Sequence, residues 1–263
     1  MQPLSQTDQY ITPSSRKMWL SRFIPTFIFY IRMINVTFRC AYLGRKDQLK
    51  GDNYSRQSWR MLRAMEAAGG IFHIDGLDHI RNLKTPAVFV ANHMSTLETF
   101  SIPAMIRPFR DMTFIVKESL TRYPIFKHVM NAQGPIAVGR VNPREDLKKI
   151  MTEGVKKINN GTSIVVFPQT TRMPKFDPAL FNTIGVKLAA KAGVPVVPIA
   201  LRTDAWKIGK LMKDYGPVDN SISIRFAFGA PIEVSGNGKV AHSQVVEFIE
   251  GHMEAWFGSE GVD

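Results

Sequence analysis

The stretch Asn92-His93-Met94-Ser95-Thr96-Leu97-Glu98 puts an imidazole five residues before a carboxylate. A neutral imidazole can take a proton from a hydroxyl near physiological pH. A carboxylate on its other ring nitrogen fixes the tautomer and stabilises the imidazolium. On an ideal helix five residues turn through about 140°, so the two side chains would not share a face. At a helix start, however, His93 stands outside the regular turns, and the long Glu98 side chain can reach back to it. The same residues have a structural reading: Ser95-Thr96-Leu97-Glu98 fits a capping box, with Ser95 as N-cap and Glu98 bonding back to its amide. From this segment alone both readings stand open.

Other routes to catalysis have less support. The single cysteine, Cys40, excludes an internal disulfide framework and a cysteine zinc cluster, and no Gly-x-Ser-x-Gly elbow is present. His73, His79, His93, His128, His242 and His252 form no spaced ligand pair, so no metal is expected. His73 alternates within a strand pattern and reads as structural.

The elements that must position the His–Glu pair follow from hydrophobic patterning. Apolar β-type runs occur at Ile71–Asp75, Ala87–Ala91, Thr113–Val116, Pro135–Val138, Ser163–Phe167, Val196–Leu201 and Ile222–Phe228. Helical patterns alternate with them, the clearest being a helix capped by Asn142, with Pro143 at its first position and Glu145 and Asp146 at its positive end. Further helices are expected near 182–192 and 242–257. This alternation predicts an α/β domain over 71–263: a mixed, largely buried sheet covered by helices on both faces. His93 then sits at a strand-to-helix junction, at the carboxyl end of a buried strand, where such folds keep their chemistry.

Upstream, residues 1–15 are polar and read as a mobile N-terminus. Residues 16–70 carry two helical patterns, about 18–39 and 52–68, separated by turn-like residues and ended by Gly69-Gly70. The start of the chain lacks the pattern of a signal peptide. Only nine residues lie between Arg22 and Arg32, whereas a spanning helix needs roughly 18 to 20 uncharged ones. Trp19, Phe23, Phe27, Phe29 and Tyr30, with Arg16, Lys17, Arg22, Arg32 and Arg39, instead suit an interfacial helix on anionic lipid. The alternative is a helix packed on the rest of the protein.

The chain is 44% hydrophobic and carries 34 Lys+Arg against 22 Asp+Glu, a net charge of +12. That excess favours anionic partners: a lipid surface, nucleic acid, or a phosphorylated or CoA-like substrate. The basic residues are scattered and no nucleic-acid module is present, so no nucleic-acid partner is expected.

Four segments in order carry a resemblance. Asn92-His93-x-Ser95-x-x-Glu98 resembles the first signature, NHxSxxD, of the glycerolipid acyltransferase family (lysophosphatidic acid acyltransferase-like). Gly134-Pro135-Ile136-Ala137-Val138-Gly139-Arg140 is similar to its second block, GxxFIDR, and Phe167-Pro168-Gln169-Thr170-Thr171-Arg172 to its third, FPEGTRS. Val194-Pro195-Val196-Val197-Pro198-Ile199 resembles the fourth, an apolar segment with a central proline. The two N-terminal helices resemble the membrane-docking pair of some bacterial members.

The resemblance implies an O-acyltransferase of phospholipid biosynthesis with a glycerol-phosphate acyltransferase-like fold. It would move a fatty acyl chain from a thioester, acyl-CoA or acyl-carrier protein as co-substrate, to the hydroxyl of a lyso-lipid acceptor, foremost 1-acyl-glycerol-3-phosphate. It implies His93 as general base and Glu98 as its partner (an HX4E motif). Arg140 and Arg172 would hold the acceptor's phosphate through guanidinium forks, with Lys117 as a further cation and Gln169, Thr170 and Thr171 at the acceptor pocket. No cofactor would be bound, and the protein would lie peripherally or monotopically on the cytoplasmic face of a membrane.

Three blocks depart at polar positions. Glu98 replaces aspartate and so lengthens the side chain. Gly139 stands where aspartate is usual, and Gln169-Thr170-Thr171 replaces Glu-Gly-Thr, removing a charge and a glycine. These departures bear on the acceptor's identity more than on the reaction. A different lyso-lipid acceptor, or a noncatalytic lipid-binding protein on the same scaffold, are the alternatives.

Overall fold

The structure is a computed structural model and describes residues 4, 6–122, 126–169, 171–210 and 212–258. Among the described residues eight strands form one sheet: β1 (Tyr10–Ile11), β2 (Phe72–Asp75), β3 (Val88–Ala91), β4 (Met112–Lys117), β5 (Ile136–Val138), β6 (Ser163–Val166), β7 (Val196–Arg202) and β8 (Ile224–Phe228). Their order is β1-β2-β8-β7-β3-β6-β4-β5. The run β7-β3-β6-β4-β5 is parallel, and the antiparallel steps are β1 against β2 and β7 against β8. Every residue of β3, β6 and β7 is buried, which requires cover on both faces of the sheet and explains why these strands read as unbroken apolar runs.

The helices are α1 (Pro25–Arg45), α2 (Gly51–Ala67), α3 (Leu77–Arg81), α4 (Leu97–Ile106), α5 (Phe126–Ala132), α6 (Pro143–Asn159), α7 (Ile184–Ala192) and α8 (Lys239–Gly258). The start of α6 is as expected: the Asn142 side chain accepts from the N–H groups of Arg144 and Glu145. Gly193 ends α7 in the left-handed conformation, as a C-terminal stop should.

Two N-terminal expectations change. The first long helix begins at Pro25, not near residue 18, because proline excludes Ile24 from helical geometry (φ −133°, ψ 51°). Trp19–Arg22 is a separate 3-10 turn. The lead-in 1–15 is not wholly mobile either, since Tyr10–Ile11 add to the edge of β2. Tyr10 is buried there, its hydroxyl donating to Glu66 Oε1 at 2.6 Å while Arg63 pairs with Glu66 Oε2 at 2.7 Å.

Helix α1 has two apolar faces. Ile28, Phe29, Met33, Val36 and Cys40 are buried, and of the aromatics expected at a lipid surface Phe29 instead packs edge-on to Trp206 at 4.8 Å between ring centroids while Tyr30 turns inward to the Gly216 carbonyl. Phe27, Ile31, Ile34, Phe38 and Tyr42 form an exposed row at helical spacing, continued by Phe23 and Trp19. Helix α1 packs on α2 and α5, and α2 on α4, so residues 16–70 share one hydrophobic core with 71–263. None of the described helices is long and apolar enough to cross a membrane.

Candidate active site

β3 and β7 are parallel neighbours, so the residues after them emerge together at the carboxyl edge of the sheet. Asn92 ties the two ends. Its Oδ1 accepts the Leu201 N–H at 2.9 Å and its Nδ2 donates to the Leu201 carbonyl at 2.8 Å, extending the ladder one step with a side chain. The backbone of His93 is held from the segment after β6: its N–H donates to Gln169 Oε1 at 2.9 Å and its carbonyl accepts the Met173 N–H at 2.8 Å. Phe167 stacks on the imidazole, with centroids 4.4 Å apart and planes 23° from parallel. Ring and backbone are thus fixed from different elements.

Glu98, in the first turn of α4, is completely buried. Its Oε1 lies 2.8 Å from His93 Nδ1 and accepts the N–H groups of Met94 (2.8 Å) and Ser95 (2.9 Å). Ser95 Oγ in turn accepts the Leu97 N–H at 3.1 Å. The N-cap is Thr96, one residue later than expected, and Ser95 Oγ serves the Leu97 N–H rather than that of Glu98, yet the bonds that start the helix and the His–carboxylate pair share one carboxylate. Oε2 is satisfied by Thr203 Oγ1 at 2.6 Å and lies 3.0 Å from Ser95 Oγ. Burial alone would push the Glu98 carboxyl up. The hydrogen bond and charge of His93, the Thr203 hydroxyl and the backbone donor together outweigh it and hold the carboxyl below its ordinary value. An ionised carboxylate only accepts, so the proton between the pair sits on His93 Nδ1 and leaves Nε2 free to act as a base.

His93 lies in the wall of a cavity of about 670 Å³. Phe100, Phe114, Ile115, Val116, Leu120, Met130, Leu147, Ile150 and Phe167 give it a largely apolar lining. Of the residues expected at the site, Lys117, Arg140 and Thr171 also line it. Lys117 closes β4 opposite Val138 of β5, which leads into Gly139-Arg140. Arg140 takes the left-handed conformation, φ 60°, at a cost of about 1–2 kcal/mol for a residue with a Cβ. The Asp146 carboxylate holds it there, accepting the N–H groups of Gly139 (3.0 Å) and Arg140 (2.8 Å).

Arg172 stands behind the rim. It donates to Thr96 Oγ1 at 2.7 Å and pairs with Asp214 at 2.6 Å, and both of those residues line the cavity. Gln169 was expected at the acceptor pocket; it is buried beneath His93 and serves its backbone. Thr170 lies outside the described residues. Sequence reasoning missed Thr203, Asn92 and Phe167 as parts of the site. A polar Thr203-Asp204 directly after the longest buried strand was the available signal. Among the described residues no group of three or more His, Cys, Asp or Glu side chains could hold a metal ion.

Comparison with known proteins gives the family and the fold. The chain is 28% identical over 189 residues to the 1-acyl-sn-glycerol-3-phosphate acyltransferase of Pseudomonas aeruginosa, covering 72% of this chain and 68% of that protein. It is 30% identical over 190 residues to the chloroplastic 1-acyl-sn-glycerol-3-phosphate acyltransferase LPAT1 of Arabidopsis thaliana, covering 69% of this chain but only 52% of the plant protein. The crystal structure of the 1-acyl-sn-glycerophosphate acyltransferase PlsC from Thermotoga maritima has the same fold, with TM-score 0.64 at 20% identity over 88% of this chain and 94% of the other. The sequence model of the acyltransferase family matches residues 32–202. That match takes in the histidine, the carboxylate and the strands that bring them together, and the chain belongs to the acyltransferase family.

Proposed function

We propose that the protein transfers a fatty acyl group from a thioester, acyl-CoA or acyl-carrier protein, to the free hydroxyl of a lysophospholipid, foremost 1-acyl-glycerol-3-phosphate. The observation that carries this reading is the buried Glu98 bound to His93 Nδ1 at the wall of a large apolar cavity that Lys117 and Arg140 also line. A fatty chain fits the apolar lining, and an anionic headgroup fits the cations. In the reaction His93 Nε2 takes the hydroxyl proton as the oxygen attacks the thioester carbonyl carbon. The tetrahedral intermediate then collapses, the C–S bond breaks, and the imidazolium returns the proton to the thiolate. Glu98 stays ionised throughout and stabilises the imidazolium. No covalent acyl-enzyme and no bound cofactor enter this scheme.

The exposed row from Phe23 to Tyr42, flanked by Lys17, Arg22, Arg32 and Arg39, supports docking of α1 on an anionic membrane surface, which we place on the cytoplasmic face. The test is a transfer assay with both thioester donors and with lysophosphatidate, other lysophospholipids and lyso-aminolipids as acceptors, on wild type and His93→Ala. Transfer is expected from wild type and loss of at least a thousandfold in the variant, with folding and vesicle binding intact. Unchanged transfer by the variant would sink the mechanism. Lyso-lipid binding with no transfer by either protein would favour a noncatalytic role.

A further inference from the structure

The cavity wall that holds His93 also carries a carboxylate for which the proposed reaction has no use. Asp214 belongs to the loop between β7 and β8, and its neighbour Tyr215 lines the cavity too. Cross-bonds shape the described residues of this loop. Lys207 N–H donates to the Pro217 carbonyl at 3.0 Å and Asp219 N–H to the Ala205 carbonyl at 2.8 Å. At Gly216 the strands of the loop cross so closely that a Cβ would fall 2.0 Å from the Lys207 carbonyl oxygen. On its outer side the loop is fastened to α1, where Tyr30 Oη donates to the Gly216 carbonyl at 2.8 Å and Val218 N–H to Thr26 Oγ1 at 3.0 Å.

On its inner side the loop takes hold of Arg172. Asp214 Oδ1 lies 2.6 Å from one terminal guanidinium nitrogen, and the Lys213 carbonyl accepts from the other at 3.3 Å. That second nitrogen also binds Thr96 Oγ1, three residues from His93. A carboxylate and a phosphate ask the same of a guanidinium: aligned N–H donors and a positive charge. Asp214 thus occupies one of the two terminal nitrogens that an acceptor's phosphate would use.

We infer that Asp214 is a specificity-determining residue, an internal carboxylate that an acceptor's anionic headgroup must displace from Arg172. The inference rests on reading Arg172 as a headgroup ligand. Displacement costs binding energy. The displaced carboxylate, held near by the fastened loop, then repels negative charge, so the penalty grows with the charge of the headgroup. A phosphate monoester is penalised more than a zwitterionic phosphodiester, so Asp214 limits how far the site can prefer the former.

The test is calorimetric titration of the full chain with glycerol 3-phosphate at low ionic strength, comparing wild type, Asp214→Asn and Asp214→Glu. Asp214→Asn should bind about tenfold more tightly, while Asp214→Glu, which keeps the charge, should match wild type. In the Arg172→Ala background the gain should vanish. Equal or weaker binding by Asp214→Asn, a gain that survives without Arg172, or no binding by any of the proteins overturns the inference. Acyl transfer by wild type is scored separately. A wild type inactive on every lyso-lipid overturns the proposed function, and an active wild type whose Km for lysophosphatidate is not lowered by Asp214→Asn overturns only the inference.

Discussion

Thr203 Oγ1 lies 2.6 Å from Glu98 Oε2, reaching it from the end of β7 while Glu98 comes from the first turn of α4. The contact joins elements 105 residues apart and fixes the carboxylate about the axis that points Oε1 at His93. A glutamate has one more rotatable bond than an aspartate, so in this chain the hold on its far oxygen decides how well its near oxygen is aimed.

Thr203→Val keeps shape and removes the hydroxyl. It should lower kcat by about ten- to a hundredfold, in the range seen when an outer partner of a catalytic group is lost, with Km within twofold. Thr203→Ser should restore most of the rate. A purely structural role predicts matched losses in melting temperature and no such split between kcat and Km.

Glu98→Gln should lose rate well beyond its effect on folding, while Ser95→Ala should cost about 1 kcal/mol of stability for the lost bond to the Leu97 N–H with a smaller effect on rate. The pH dependence has a definite sign. The Glu98 carboxyl is held below its ordinary value of 4.5, so its contribution to stability is complete above that pH and is lost as pH falls through the lower folded value. Denaturant titrations should therefore show the stability gap between wild type and Glu98→Gln narrowing below about pH 4.5.

Phe27 and Ile31 are exposed on α1, so Phe27→Ser with Ile31→Ser should leave folding unchanged. Each side chain moved from water into a bilayer contributes about 1.5–3 kcal/mol, so sedimentation with anionic vesicles should fall by at least tenfold. Binding that persists at wild-type strength would mean this row is covered by something other than lipid.

Ile150 faces the cavity from α6. Ile150→Phe removes room from an apolar pocket in which one methylene is worth about 1–3 kcal/mol. Assays across donor chain lengths should show the longest accepted chain losing at least tenfold in kcat/KM while shorter chains are spared.

The sheet was legible because its strands are buried on both faces, so each appears as a short apolar run between turn signals. The seven runs from Ile71 to Phe228 correspond to β2–β8. β1 escaped because two residues carry no period, and what holds Tyr10 is Glu66, far along the chain. Pro25 did mark the true start of α1, but the aromatic residues before it masked the boundary. At the site, His93 and Glu98 stand five residues apart at a helix start, so the long Glu98 side chain could be expected to reach back to the imidazole. Thr203 and Asp214 could not be anticipated: Thr203 meets Glu98 because β3 and β7 lie side by side, and Asp214 meets Arg172 because the segments after β7 and β6 converge across the end of β3. Gln169 was traceable only as a variant of a motif, and its bond to the His93 N–H belongs to the tertiary fold.

The double duty of Glu98 bears on how descendants of this chain should be interpreted. Its carboxylate closes the turn at Met94 and Ser95, so a copy retired from enzymatic work would still be selected to keep it. The bonds of His93 to Gln169 and Met173 run through the backbone and survive any side chain, so the imidazole itself serves the fold only through Glu98 and Phe167. A glutamate at 98 testifies to a shared architecture, whereas the histidine is the residue that the proposed reaction cannot do without. Drift at 93 with retention at 98 would be the signature of a lineage that kept the scaffold and gave up the reaction.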